Sequence, residues 1–199
     1  MEAKIRKRRP AFDREEGVAI AQGLFHERGY DAVSVADLCD ALGIVAPSLY
    51  AAYGSKAELF NRAMERYVEN DFLPLDDILA PDSNPTEALT ELFVRATEHY
   101  TRHDKWKGCM VTEGMRADDE TARTMAAEHA KVGSDLIGTY IRDHHAIDPE
   151  RVTDYVLMTL RGLSSYACLG YSTERLTHCA EMAGRALEGD FDTLSLIHI

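Results

Sequence analysis

An eight-residue stretch after Gly43 carries small and hydroxyl side chains of the kind that contact double-stranded DNA. Its apolar positions, Leu49 and Tyr53, are predicted to face inward. The positions left on the outside are Ala46, Ser48, Tyr50 and Ala51. An alanine methyl group can pack on a thymine methyl in the major groove, and a serine hydroxyl can bond a base edge or a phosphate. These residue types therefore predict groove contacts.

Two predicted helices and a tight turn position these side chains. Ser34 begins the first helix as an N-cap, and Gly43 ends it. The second helix runs from about Ala46 to Tyr53, with Pro47 in its first turn, where a missing N–H costs little. This size and spacing fit a helix-turn-helix, whose second helix enters the major groove. Periodicity alone fits equally well an ordinary corner between two helices of a bundle.

The sequence of this region resembles the N-terminal DNA-binding domain of the tetracycline-repressor (TetR) family. The resemblance spans about residues 12–60. Its matching pieces are Gly29-Tyr30, Ser34, Val35-Ala36-Asp37-Leu38, Ala41-Leu42-Gly43-Ile44, Ser48-Leu49-Tyr50, Tyr53 and Ser55-Lys56-Ala57-Glu58-Leu59. The resemblance implies a homodimeric, all-helical regulator, in most cases a repressor, with a divergent C-terminal domain for a ligand and for dimerisation.

The resemblance also implies which residues meet the DNA operator, whose half-sites are expected to be palindromic. Phosphate or groove contacts are implied for Ser34, Ser48, Tyr50 and Lys56, and the DNA-facing end of the second helix holds Val45, Ala46, Pro47 and Ala51. Val45 stands where the family often has Ser or Thr, and alanine occupies positions 46 and 51, where longer polar side chains are common. We therefore expect few base-specific hydrogen bonds and a larger share for DNA shape.

The overall charge does not exclude a DNA partner. The chain carries a formal net charge of −12, but residues 1–60 hold 8 Lys and Arg against 9 Asp and Glu, whereas residues 61–199 hold 14 against 25. The acidity therefore belongs to the C-terminal part. The basic arm at the N-terminus includes Arg8 and Arg9, for which we expect phosphate or minor-groove contacts. A segment that only increases solubility is the alternative.

Apolar periodicity predicts an all-α protein with about nine helices, because no alternating strand pattern or internal repeat is found. The predicted order is a basic arm at 1–11, a three-helix helix-turn-helix domain at 12–57, a helical effector-binding and dimerisation bundle at 58–190, and a tail at 191–199. No apolar run reaches the roughly 18 residues of a membrane span. The basic N-terminus lacks the apolar run of a secretory signal. Four cysteines without a CxxC pair predict reduced thiols and a cytoplasmic location.

The C-terminal part is predicted to hold a dimer interface and the site of an unknown small-molecule effector. Segment 149–170 is apolar on several faces, and with the next helix it is expected to pair with a second copy; packing within one subunit is the alternative. The interface candidates are Val152, Tyr155, Val156, Thr159, Leu163, Leu176, Ala180, Ala183 and Leu187. The ligand candidates, each of which also fits a plain core position, are Phe93, Thr97, Tyr100, Trp106, Cys109, Met110, Glu113, Met158 and Tyr166.

No catalytic, cofactor or metal site is predicted. His99 and His103 are four residues apart, with Cys109 not far along and a second pair at His144-His145. However, the glutamate of a zinc-protease helix is missing, and no third ligand has a diagnostic spacing. Phosphate-loop and nucleophile motifs are also not found. The alternative to a DNA-binding regulator is a helical bundle that binds a small molecule or a metal without DNA.

Overall fold

The computed structural model describes residues 13–71 and 73–191, and these residues fold into helices joined by short loops. The helices are α1 (Arg14–Arg28), α2 (Val35–Leu42), α3 (Ala46–Tyr53), α4 (Lys56–Asn70), α5 (Leu75–Ile78), α6 (Pro85–Thr101), α7 (Met110–Gly114), α8 (Glu120–Asp143), α9 (Pro149–Cys168) and α10 (Thr173–Arg185). In the described residues the only β pairing is an isolated bridge between Ala146 and Phe191. The all-α prediction is confirmed. The addition to the expected nine helices is the single turn α5, which lies between α4 and α6.

Side-chain caps fix where most of these helices begin. The Ser55 hydroxyl accepts the backbone N–H of Glu58 at 3.0 Å, and the Asn84 carbonyl oxygen accepts that of Glu87 at 3.1 Å. Ser34 caps α2 in the same way. Such bonds satisfy N–H groups that have no partner inside the helix. The helix start predicted from Ser34 is confirmed.

The first three helices form a small head with its own core. Helices α2 and α3 meet at 91° across the turn. Leu38 of α2 and Leu49 of α3 are fully buried. The Tyr53 hydroxyl donates a hydrogen bond to the carbonyl of Arg14 at 2.9 Å and so ties α3 to the start of α1. The orientation of α3 is therefore set by apolar burial and by one hydrogen bond to α1.

Helix α4 joins the head to the remaining helices, which we call the body. It packs against α1 on the head side and against α7 and α8 on the body side, and α6 packs against α9 and α10. Phe60 makes aromatic contacts with Phe25 and Tyr30, each with ring centroids 5.0 Å apart. Leu59, Ala63, Met64 and Tyr67 are also buried. The buried face of α4 is thus shared between head and body.

The longest helix of the described chain, α8, has 24 residues. Within the described ranges, no single helix combines the length and apolar character needed to cross a membrane. Helices α2 and α3 meet that measure only when they are taken together as two segments bent by 91°.

The turn between α2 and α3 generates a first prediction. Gly43 has φ 64° and ψ 31°, a left-handed conformation, and its N–H donates to the carbonyl of Asp40 at 3.3 Å. A Cβ in this conformation costs roughly 1–2 kcal/mol, whereas asparagine tolerates it better. Gly43→Ala should therefore lower the free energy of unfolding by about that amount, and Gly43→Asn by less, in urea denaturation followed by circular dichroism. Equal stability of the alanine variant and the wild type would contradict the prediction.

Candidate DNA-binding surface and effector cavity

The outer face of α3 is an uncharged surface directed to solvent. Val45, which precedes α3, is 65% exposed and Tyr50 is 49% exposed. Pro47, Ser48 and Ala51 are also exposed, and Ala46 is half-buried. Leu49 and Tyr53 are buried, as predicted. Helix α3 contains no charged residue, so its outer face presents methyl groups and hydroxyls and no positive charge.

Ser34 lies exposed at the start of α2, where its side chain already has a partner. Its hydroxyl accepts the N–H of Asp37 at 3.1 Å and donates to the Asp37 carboxylate, and its own N–H donates to the same carboxylate at 2.8 Å. These bonds from Ser34 hold the pKa of Asp37 below its usual value. A hydroxyl has one hydrogen to donate. A phosphate that Ser34 binds by donation must therefore compete with Asp37.

Lys56 opens α4 on the same side of the molecule. Its ammonium nitrogen lies 3.9 Å from the centroid of the Tyr30 ring, a cation–π contact. Partial burial lowers the pKa of Lys56, and the nearby carboxylates of Asp31 and Asp119 act in the opposite direction. The ring and the carboxylates hold the ammonium close to the first turn of α4, where backbone N–H groups also favour an anion. Arg8 and Arg9 of the basic arm lie outside the described residues.

An apolar cavity of about 390 Å³ lies in the body, bounded by α4, α5, α6, α7, α8 and α9. Its volume is in the range of pockets that hold small organic ligands. Apolar side chains make most of the wall, among them Val68, Leu92, Val111, Leu136, Leu157 and Leu160. The polar side chains on the wall are Tyr100, Thr112, His129 and Ser134, together with the exposed Asp76, Asp77 and Arg161.

Two of the nine ligand candidates, Tyr100 and Cys109, line this cavity. The other seven lie elsewhere. Phe93, Thr97 and Met110 are buried in the core but are not part of the wall. Trp106 is on the surface beside His103, with ring centroids 5.1 Å apart, and Glu113 lines a separate cleft beside Lys105 and Lys107. Met158 and Tyr166 are exposed. The candidates chosen for their large or polarizable side chains are thus divided between core and surface, and two of them reach the cavity.

Sequence reasoning missed His129 and the face of α8 around it. Ala130, Gly133 and Ser134 follow His129 along that helix and also line the cavity. Short side chains three or four residues apart share one face of a helix, and space remains in front of them. This run of small residues was the available signal for the cavity wall.

Six of the nine predicted dimer contacts belong to the core of the subunit. They are Val152, Val156, Leu163, Leu176, Ala180 and Leu187, none of which is more than 6% exposed. These side chains are covered by their own subunit, which fits the alternative of packing within one subunit. Tyr155, Thr159 and Ala183 are half-buried, and the Tyr155 hydroxyl donates to the carbonyl of Ala183 at 3.0 Å. The exposed apolar side chains of α9, α10 and the residue after α9 are Met158, Tyr166, Leu169 and Met182.

His99 at the end of α6 and His103 in the loop after it have partners other than a metal. The imidazole Nε2 of His99 lies 2.9 Å from the Tyr67 hydroxyl, and burial lowers the His99 pKa to about 4. His103 contacts the Trp106 ring instead. In the part of the chain that the structure describes, no group of three or more His, Cys, Asp or Glu side chains is placed to hold a metal ion. All four cysteines, which are Cys39, Cys109, Cys168 and Cys179, are unpaired.

An outward, uncharged second helix after a tight turn, held by a buried head core, defines a helix-turn-helix regulator of transcription. The model of the bacterial regulatory proteins, tetR family, matches residues 19–63. The chain is 40% identical over 187 residues to the HTH-type transcriptional repressor BdcR of Escherichia coli K12. This alignment covers 94% of the present chain and 95% of BdcR. It is 26% identical over 189 residues to the repressor ComR of the same organism, over 89% of this chain and 90% of that one.

A solved structure supports the same assignment. A cysteine mutant of the TetR family regulator CifR, complexed with a 26-base-pair operator, superposes with a TM-score of 0.80 at 30% identity over 90% of this chain and 98% of that one. The present chain belongs to the TetR family. It is a DNA-binding transcriptional regulator and not an enzyme, so the alternative of a bundle without a DNA-binding role is set aside.

The buried His99 generates a prediction about acid stability. Its pKa of about 4 in the folded protein lies below the usual 6.5, so the unfolded chain binds more protons between these values. The resulting loss of stability begins as the pH falls below about 6.5 and is complete near pH 4. Between pH 7 and pH 4.5 the wild type should lose about 2 kcal/mol more unfolding free energy than His99→Gln. Urea denaturation at both pH values measures this, and an equal loss in both proteins would contradict it.

Proposed function

We propose that this protein is a homodimeric repressor that binds a palindromic operator through its head, residues 12–57, and releases it when a small molecule occupies the cavity of its body, residues 58–190. The observation that carries the proposal is the exposed, uncharged face of α3 above a buried head core. Two relatives are named as transcriptional repressors, and CifR has been solved on its operator. We expect the protein to act in the cytoplasm, where the bacterial chromosome lies.

The proposed DNA contacts divide into two groups. Methyl groups and hydroxyls at the turn and on α3 meet the groove, through Val45, Ala46, Pro47, Ser48, Tyr50 and Ala51. Phosphates are bound by Lys56 and by Arg8 and Arg9 of the basic arm, with Ser34 exchanging its bond to Asp37 for one to phosphate. Phosphate contacts set affinity and its salt dependence, whereas groove contacts set the sequence that is read.

The proposed dimer contact uses the exposed apolar side chains that replace the original candidates. Met158 and Tyr166 lie eight residues apart on α9 and so share one face of that helix, with Gly162 between them. A Cβ placed on Gly162 would meet nothing within 4 Å, so this part of the surface is open to a partner helix. Leu169, directly after α9, and Met182 of α10 are also exposed apolar side chains, and we assign them to the same contact. A twofold dimer would carry two heads to half-sites about one helical turn, or a multiple, apart.

Release follows from the position of α4 between the cavity and the head. Val68 of α4 lines the cavity, and Lys56 at the other end of the same helix is a proposed phosphate contact. A ligand that fits the cavity better in one position of α4 than in another shifts the dimer between two spacings of its heads. Only this difference in affinity can drive the shift.

Electrophoretic mobility shifts against the DNA upstream of its own coding region test the proposal. The wild type should shift this DNA in preference to an unrelated sequence. Lys56→Gln should weaken binding to both DNAs and lower the magnitude of the salt slope by about one per lost phosphate contact. Lys131→Gln removes the same charge from an exposed site on α8 and is the matched control. The proposal is falsified if no sequence-specific shift occurs at any salt concentration that keeps the protein dimeric.

A charge in the proposed dimer contact should separate the subunits. Met182→Glu buries an unpaired carboxylate in the apolar contact, which is strongly unfavourable, so the dimer should dissociate at least about tenfold more readily. Ile147→Glu introduces the same charge at an exposed apolar residue in the loop before α9 and should remain dimeric. Light scattering during gel filtration, over a series of protein concentrations, gives the masses. Equal masses for both variants at every concentration would place the interface elsewhere.

A further inference from the structure

His129 connects the cavity wall with α4 through a short chain of hydrogen bonds. It lies on α8 and lines the cavity. Its Nε2 lies 3.0 Å from the Oδ1 of Asn61 on α4. The amide nitrogen of Asn61 in turn donates to the carboxylate of Glu65 at 2.9 Å. The head-bearing helix is therefore bonded directly to a side chain of the cavity wall.

This chain determines which nitrogen of His129 carries the proton. A carboxylate only accepts hydrogen bonds, so Glu65 holds the NH₂ group of Asn61 and turns its oxygen toward His129. An amide oxygen also only accepts, so Nε2 must be the donor. In the neutral imidazole the other nitrogen, Nδ1, then has a lone pair and no hydrogen. In the described chain the imidazole has its hydrogen bond at Nε2, which leaves Nδ1 as an acceptor on a residue of the cavity wall.

The surroundings of His129 favour a ligand that supplies the missing donor. The Ser134 hydroxyl, one turn along α8, donates to the carbonyl of Ala130 at 2.9 Å and is not available as a donor. Most other wall residues are apolar. A polar group that loses water and gains no partner costs free energy, so a ligand without a donor binds less well beside Nδ1.

The charges around the cavity favour an uncharged ligand. Asp76, Asp77 and Arg161 are exposed residues of the wall, which therefore carries two carboxylates and one guanidinium. Residues 61–199 hold 25 Asp and Glu against 14 Lys and Arg. An anion would meet this excess of negative charge, and a cation would enter a wall that is mostly apolar. Neither charge is matched inside the cavity.

We propose that the effector of this protein is an uncharged, mainly apolar molecule with one hydroxyl group, an alcohol or a phenol, which donates a hydrogen bond to Nδ1 of His129. This inference rests on the proposed function, since it assumes that the cavity holds the effector. The same imidazole bonds the ligand through Nδ1 and α4 through Nε2. The hydroxyl of the ligand is therefore connected to α4, the helix that joins the head to the body, through the single side chain of His129.

Two matched probes test the ligand class on the full-length protein without DNA. 4-Octylphenol and its methyl ether, 4-octylanisole, have nearly the same shape, but only the phenol donates a hydrogen bond. Their dissociation constants are measured by displacement of the fluorescent probe N-phenyl-1-naphthylamine. The phenol should bind the wild type about tenfold more tightly than the ether. 4-Octylbenzoate supplies the anionic comparison and should bind more weakly than the phenol.

Two variants distinguish the role of Nδ1 of His129 from that of Nε2. The terminal amide of asparagine occupies roughly the place of Nδ1, and that of glutamine the place of Nε2. His129→Asn should keep an acceptor for the phenol, and with it the preference over the ether. His129→Gln should keep the bond to Asn61 and reduce the preference to about one. His103→Gln, an exposed histidine away from the cavity, is the control and should behave as the wild type.

The outcomes are separable from those of the DNA experiments. Equal binding of phenol and ether to the wild type, or an unchanged preference in His129→Gln, would overturn the assignment of the donor. Tighter binding of the benzoate would overturn the assignment of charge. None of these results affects the mobility shift of the operator DNA. If no shift is seen but the phenol still binds more tightly than the ether, the proposed repressor function is rejected and the proposed ligand class stands.

Discussion

The packing of Phe60 between the head and the body is the contact on which the rest of the structure depends. Phe25 of the head meets its ring edge-on, and Tyr30 meets it at a tilt. Gly114 of α7 also comes so close that a Cβ there would lie 3.1 Å from the ring and 2.9 Å from the Cβ of Ala126. Interiors packed this densely transmit displacements instead of absorbing them. A shift of α7 or α8 against α4 therefore reaches the head core directly.

A second tie between head and body is polar. The carboxylate of Asp31, in the loop between α1 and α2, accepts the backbone N–H groups of Asp118 at 2.8 Å and of Asp119 at 3.4 Å. Asp119 is the N-cap of α8, the helix that carries His129 into the cavity wall. Asp31 also lies near Lys56. The loop before α2, the start of α8 and a proposed phosphate contact thus form one electrostatic group. A movement of α8 at the cavity and a phosphate bound at Lys56 would both act on Asp31.

The sequence predicted the head well because its determinants are local. A capping serine, a glycine at a left-handed position and a proline in a first turn each act within a few residues, so Ser34, Gly43 and Pro47 were interpreted correctly. The body was harder because its determinants are not local. Periodicity predicted that Val156 and Leu163 lie on a buried face of their helix. It does not say whether such a face packs against its own subunit or against a second copy. His129 was missed because its role depends on Asn61, 68 residues earlier in the chain.

The absence of charge from α3 has a consequence for how such a regulator can change over evolutionary time. In the proposed complex, salt-dependent affinity resides in residues outside this helix, whereas α3 contributes methyl groups and hydroxyls. Substitutions on its exposed face can therefore alter the preferred base sequence while the general attraction to DNA stays the same. A duplicated copy of the gene could acquire a new operator in single steps, since each intermediate would still be held on the chromosome while its preference changed.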